Sequence, residues 1–188
     1  MIFLQKYNID KNIRFKSFLQ TLEIAKNRNL KLIVETGTAR GKTNFFFFNQ
    51  YNWKDGMSSI MFAEYAKNFN GHLHTCDISK KNIDSCIKFS KQFSNYITHY
   101  IDDSVNFLKL FKFKIDILYL DSLDSHDPEA ASQHQLNEIV NSIDKLNNNS
   151  LILLDDNGGK TKLSLEFLLK NRFKIILETK YQLLLSKI

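Results

Sequence analysis

The chain has 188 residues, 43% of them hydrophobic and 24% charged, a balance that excludes a disordered tail and leaves length for one domain, residues 1–188, with its own core. Its two cysteines, Cys76 and Cys86, are too few for a disulfide framework or a cysteine zinc site, and no apolar run approaches the roughly 20 residues of a membrane helix. The net charge of +6 invites a nucleic-acid partner, but only Arg14, Arg28, Arg40 and Arg172 carry the guanidinium fork that reads phosphates and bases. The lysines are scattered among many Asn, Ile and Phe, as A/T-rich codons would leave them, so neither nucleic acid nor membrane is expected as a partner.

The start, Met1-Ile-Phe-Leu-Gln-Lys, has no basic segment leading into an apolar one, so no signal peptide is expected and the expected location is the cytoplasm. Residues 1–29 read as a helical lead-in, with Phe15, Phe18, Leu19, Leu22 and Ile24 at near-helical spacing over residues 12–27. Strands are then predicted at residues 30–35, 72–77, 96–102, 115–121 and 151–155, and helices at 59–68, 80–93, 104–111, 129–146 and 161–170. This alternation is the signature of an α/β fold with a mainly parallel sheet. Residues 173–179 and 182–187 lie too close for a helical crossover and so predict an antiparallel hairpin at the end.

Acids recur at the strand ends: Glu35, Asp77, Asp102-Asp103, Asp121 and Asp155-Asp156. In an open parallel sheet all of these reach the carboxyl edge, where ligands bind. Some would merely cap the helix that follows, but Glu35 precedes a glycine loop rather than a helix. That loop, Thr36-Gly37-Thr38-Ala39-Arg40-Gly41, lacks the second glycine of the dinucleotide fingerprint. An acid before Gly37 suits an ammonium group, Asp77 is placed for the two hydroxyls of a ribose, and Asp103-Ser104 for a base edge. Together these describe S-adenosylmethionine.

The stretches VETGTARG, HLHTCDIS, YIDDS and ILYLDSLDSHD, followed by LLDD and the terminal hairpin, resemble the class I S-adenosylmethionine-dependent methyltransferases. The likeness is greatest to the small-molecule O-methyltransferase branch. It implies a Rossmann-like, seven-stranded sheet in the order 3-2-1-4-5-7-6 with helices on both faces, and methyl transfer to a hydroxyl of a sugar or secondary metabolite. It also implies a cofactor site of Glu35, Gly37, Thr38, Asp77 with its neighbour Ile78, Asp103, Ser104 and Asp121. Two other readings stand beside it: a non-catalytic protein that senses the cofactor, and a nicotinamide oxidoreductase, which Ala39 and the hairpin disfavour.

Asp121, Asp155 and Asp156 would meet at neighbouring strand ends and repel one another unless a cation sits between them. Metal-dependent members of the family carry acids at these positions, so Mg²⁺ or Mn²⁺ is expected to hold an acceptor hydroxyl there. The other reading is a metal-free pocket in which Asp121 touches the cofactor and Asp155 points into the core. Asp121, His126 and His134 are the candidate catalytic groups, the two histidines as general bases. Residues 42–54, rich in Phe and holding the sole Trp, read as an insertion over the ligand edge, either a lid, a homo-oligomer contact or a packed helix.

Overall fold

The structure, a computed structural model, describes residues 1–45, 48–51, 53, 57–123 and 127–187, and for residues 42–45 and 48–51 the backbone alone. In chain order its strands are β1 (Leu32–Thr36), β2 (Lys42–Phe45), β3 (Phe48–Tyr51), β4 (His72–Asp77), β5 (Ile97–Ile101), β6 (Ile115–Leu120), β7 (Leu146–Asp155), β8 (Phe173–Glu178) and β9 (Gln182–Lys187). The helices are α1 (Phe15–Asn27), α2 (Ser58–Phe69), α3 (Lys80–Ser90), α4 (Ser104–Leu110), α5 (Pro128–Ser142) and α6 (Lys162–Lys170).

Seven strands form one sheet in the order β5-β4-β1-β6-β7-β9-β8, which is the expected 3-2-1-4-5-7-6. Strands β1, β4, β5, β6 and β7 pair in parallel, and β9 runs antiparallel to both β7 and β8. The central strands are apolar at nearly every position because both faces are covered. Alternate side chains divide between the faces. Ile33, Ile117, Tyr119, Leu151, Leu153 and Leu184 pack with Phe18, Leu22, Met61, Phe62 and Cys86 of α1, α2 and α3. Val34, Leu118, Leu120, Ile152, Leu154, Leu183 and Leu185 pack with Phe107, Ile139 and Leu168 of α4, α5 and α6.

The differences from the sequence reading have local causes. Helix α1 starts at Phe15 rather than Asn12, and a short 3-10 turn over Ile2–Tyr7 precedes it. Helix α3 tightens into a 3-10 turn over Lys91–Tyr96, and α5 stops at Ser142. Strand β7 begins at Leu146, through an Asn-rich run that reads as a loop. Side-chain bonds hold that run: Asn147 N donates to Ser150 Oγ at 2.9 Å, and Asn147 Nδ2 to Asp116 Oδ1 at 3.3 Å. Within 42–54, β2 and β3 pair as a hairpin that forms a sheet of its own rather than a helix. Phe46, Phe47, Asn52 and Lys54 lie outside the described residues. Among the described residues no helix is long and apolar enough to cross a membrane.

Candidate functional site

The glycine loop leaves β1 under tight geometric control. Gly37 has φ +77°, and a Cβ there would lie 2.2 Å from the Asp121 carbonyl oxygen, so only glycine fits between β1 and the end of β6. Gly37 N donates to the Cys76 carbonyl at 2.8 Å, and Ala39 N to Ser59 Oγ at 2.9 Å. The loop is thereby tied to both β4 and α2.

Glu35 explains why Ser59 is there, and it corrects the sequence reading. It is fully buried beneath the loop and does not line the cavity, so it is not placed to meet a ligand ammonium. Its carboxyl accepts from Ser58 Oγ at 2.5 Å, Ser59 Oγ at 2.6 Å and Thr75 Oγ1 at 2.6 Å. Burial pushes it up to about 7, against the lowering effect of the three hydroxyls. Helix α2 has Met57 at its N-cap with no side-chain cap bond, so Glu35 fastens the helix start through Ser58 and Ser59.

Above this foundation the strand ends surround a cavity of about 460 Å³. Gly37, Thr38, Asp77, Ile78, Asp103, Ser104, Asp121 and His134 line it, as the sequence reading requires of a shared site. Asp77 accepts from Ser79 N at 2.7 Å and Thr38 N at 3.3 Å, which fixes its carboxylate toward the loop. Asn82 Nδ2 reaches both of its oxygens at 3.1 and 3.2 Å. Asp103 is also the N-cap of α4, its Oδ1 accepting from Asn106 N at 3.0 Å, so the capping role belongs to it as well. His134 on α5 pairs through Nε2 with Ser104 Oγ at 2.9 Å. Glu138 lies one turn on, 3.8 Å from the same nitrogen, and accepts from Ser122 Oγ at 2.7 Å. His126 lies outside the described residues.

Asp121, Asp155 and Asp156 converge, one oxygen of each lying within 4.8 Å of the others. Two cations of the chain already stand among them: Lys160, close to the acids in sequence, and Arg14, which the sequence reading missed. Arg14, just before α1, donates to Asp155 through Nε to Oδ1 and Nη2 to Oδ2, both at 2.7 Å, and reaches Asp156 Oδ1 at 3.3 Å. Lys160, with 2% of its side chain exposed, lies 3.3 Å from Asp156 Oδ2 and 3.9 Å from Asp121 Oδ1. Gln182 Nε2 donates to Asp155 Oδ1 at 2.7 Å, and Tyr119 Oη donates to Asp121 Oδ2 at 3.1 Å.

Burial would raise Asp155, but the hydrogen bonds and charge of Arg14 overcome it and hold Asp155 below the usual carboxylate range. Asp121 is held well above that range, by burial first and by the charge of Asp155 next, with Lys160 opposing. Of the two, Asp121 is therefore the acid that takes up a proton more readily. The three acids have the spacing of a divalent-cation site, and nitrogen and hydroxyl donors of the chain already meet their carboxylates.

Arg40, Asn82 and Ser122 also line the cavity without having been singled out. Asn82 had a signal: it lies five residues after Asp77, on the first turn of α3. Arg14 had none, since its partner is 141 residues away.

A family model described as "Methyltransferase domain" matches residues 53–157, more than half the chain and the part that carries Asp77, Asp103, Ser104, Asp121, Asp155 and Asp156. No curated protein matches the chain in sequence. Among solved structures it is similar to an SAH-bound methyltransferase from Podospora anserina, at 14% identity and a TM-score of 0.67 over 97% of this chain and 84% of that one. It is similar also to an O-methyltransferase from Bacillus cereus in complex with SAH, at 13% identity and a TM-score of 0.63 over 97% and 86%. A putative rRNA-methylase from Clostridium thermocellum matches at 16% identity and a TM-score of 0.59 over 92% and 97%. With the sheet order, the glycine loop and the ring of strand-end residues on the same edge, the chain belongs to the methyltransferase domain family and is built on the class I S-adenosylmethionine-dependent methyltransferase fold.

Proposed function

We propose that the protein transfers a methyl group from S-adenosylmethionine to a hydroxyl of a small molecule. The observation that carries this reading is the cavity itself: a glycine-only turn at Gly37, a carboxylate at Asp77 and a polar pair at Ser104 and His134, all on one wall system at the sheet's carboxyl edge. The cofactor, when bound, supplies an electrophilic methyl on its sulfonium. Asp77, braced by Ser79 N and Thr38 N, accepts from the two ribose hydroxyls, which take or share the long contacts now made by Asn82. Ser104 and His134 face the base edge, which moves His134 from general base to cofactor recognition. Ile78, three-quarters exposed, covers the ring, and Arg40 offers its guanidinium to the cofactor carboxylate.

Asp121 is the residue at the reacting end. The cofactor's cation above it favours its ionised form, which acts as an acceptor. It then accepts from the cofactor's ammonium group or orients the acceptor hydroxyl. The resemblance to the O-methyltransferase branch supports oxygen as the methyl acceptor. The lysines are scattered along the sequence rather than gathered in one basic run, which gives no support to an RNA acceptor.

Calorimetric titration with S-adenosylhomocysteine (SAH) tests the reading. One-to-one binding is expected. Asp77→Ala removes the charged acceptor of two hydroxyls, and should weaken binding by on the order of 10- to 150-fold, the equivalent of about 1.5–3 kcal/mol. Equal affinity in a folded Asp77→Ala protein would place the cofactor elsewhere.

A further inference from the structure

We propose that Arg14 and Lys160 are the built-in counter-cations of the reacting end, standing where a divalent metal would otherwise neutralise Asp121, Asp155 and Asp156, so that the site needs no metal ion. The three acids and two cations close the charge balance to within one unit without any ion from solution. Each carboxylate is engaged. Asp155 receives Arg14 on both oxygens and Gln182 on one. Asp156 receives Arg14 and Lys160, and Asp121 receives Tyr119 with Lys160 within ion-pair reach.

These are not surface counter-ions that a metal displaces at little cost. The side chain of Arg14 is 11% exposed and that of Lys160 is 2% exposed. A metal that took the carboxylates would strand a buried guanidinium and a buried ammonium, and an unpaired buried charge costs far more than a paired one. Arg14 also matches its partner in shape, since a planar fork on a carboxylate makes two parallel charge-assisted bonds at once. Asp156 has φ +56°, a left-handed conformation that Asp tolerates and that turns its carboxylate back toward Lys160, four residues on. Arg14 and Lys160 are positioning residues: they fix the acids around Asp121 and touch no reacting atom.

The inference rests on reading this cavity as a methyl-transfer site, but its test does not. Chelator-treated protein is titrated with Mn²⁺ and the free ion is read by electron paramagnetic resonance, while SAH binding is measured calorimetrically in the same chelated samples. The wild-type protein is expected to take up no Mn²⁺ in a saturable one-to-one step, and to bind SAH. Lys160→Met, which keeps the Arg14 clasp, should gain a one-to-one Mn²⁺ site, and Asp156→Asn added to it should remove that site. Arg14→Met should gain one likewise, and Arg14→Lys, which restores the charge, should not. Saturable uptake by the wild type that Asp156→Asn abolishes would overturn the inference. So would a folded Lys160→Met protein that takes up none. Loss of SAH binding in chelated wild type, with no Mn²⁺ uptake, would instead count against the proposed function and leave the cation assignment standing.

Discussion

Glu35 is an acid whose three donors are all hydroxyls, in a place from which water is shut out. Burial raises it to about 7, so the folded state binds its proton over a pH range in which the unfolded chain has already released it. The sign follows directly: the folded protein holds more protons between about pH 4.5 and 7, and stability falls as pH rises through that window. Glu35→Gln keeps the shape and removes the titration. In urea unfolding at pH 5 and pH 8, the wild type should lose up to about 3 kcal/mol more between the two than the variant does. Identical pH slopes would show that Glu35 is ionised throughout. Ser58 and Ser59 both donate to this carboxyl, so the start of α2, which has no side-chain cap bond, is fastened from below.

At the scale of elements, the parallel strands were legible because two covered faces leave apolar runs of strand length, each ending in an acid. The glycine loop was legible because only glycine suits that turn, and the last hairpin because its two strands are too close for a crossover. Of the counter-cations, Lys160 lies four residues after Asp156, but Arg14 was not legible: it meets Asp155 only because α1 packs across β7 and β9, and no spacing rule spans 141 residues. The asparagines that open β7 bond sideways through their amides, which composition reads as loop. Helix α1 therefore bears on the site through its packing. Phe18 is fully buried, edge-on to Tyr119 at 5.4 Å and to Phe62 at 5.6 Å. Phe18→Ala should cost about 3–5 kcal/mol by lost transfer and cavity energy, measured by denaturant unfolding. A cost below about 1 kcal/mol would mean that α1 is loosely docked.

For the molecule as a whole, the cavity joins the loops after β1 and β6 with residues of β4, α3, α4 and α5, so a ligand that fills it braces all of these elements at once. SAH at about 100 times its dissociation constant should add about 2.7 kcal/mol to stability. For a chain of this size that is a rise of roughly 5–10 °C in the unfolding midpoint, read by scanning calorimetry. An unchanged midpoint at saturating SAH would contradict binding to the folded state.

The two ends of the site differ in how far apart along the chain their parts lie. The cofactor wall is short-range: Thr38 meets Asp77 across 39 positions and Ser104 meets His134 across 30. The acid cluster is the opposite, with Arg14 on Asp155 across 141 positions and Ser17 on Gln182 across 165. Long closures come late because their entropy is lost before their contacts form. Holding the cofactor and arranging the reacting end are consequently separate achievements of the chain. Lifting the last hairpin would take Gln182 from Asp155 and Ser17 while leaving Thr38 on Asp77, so turnover should be lost before affinity for SAH is.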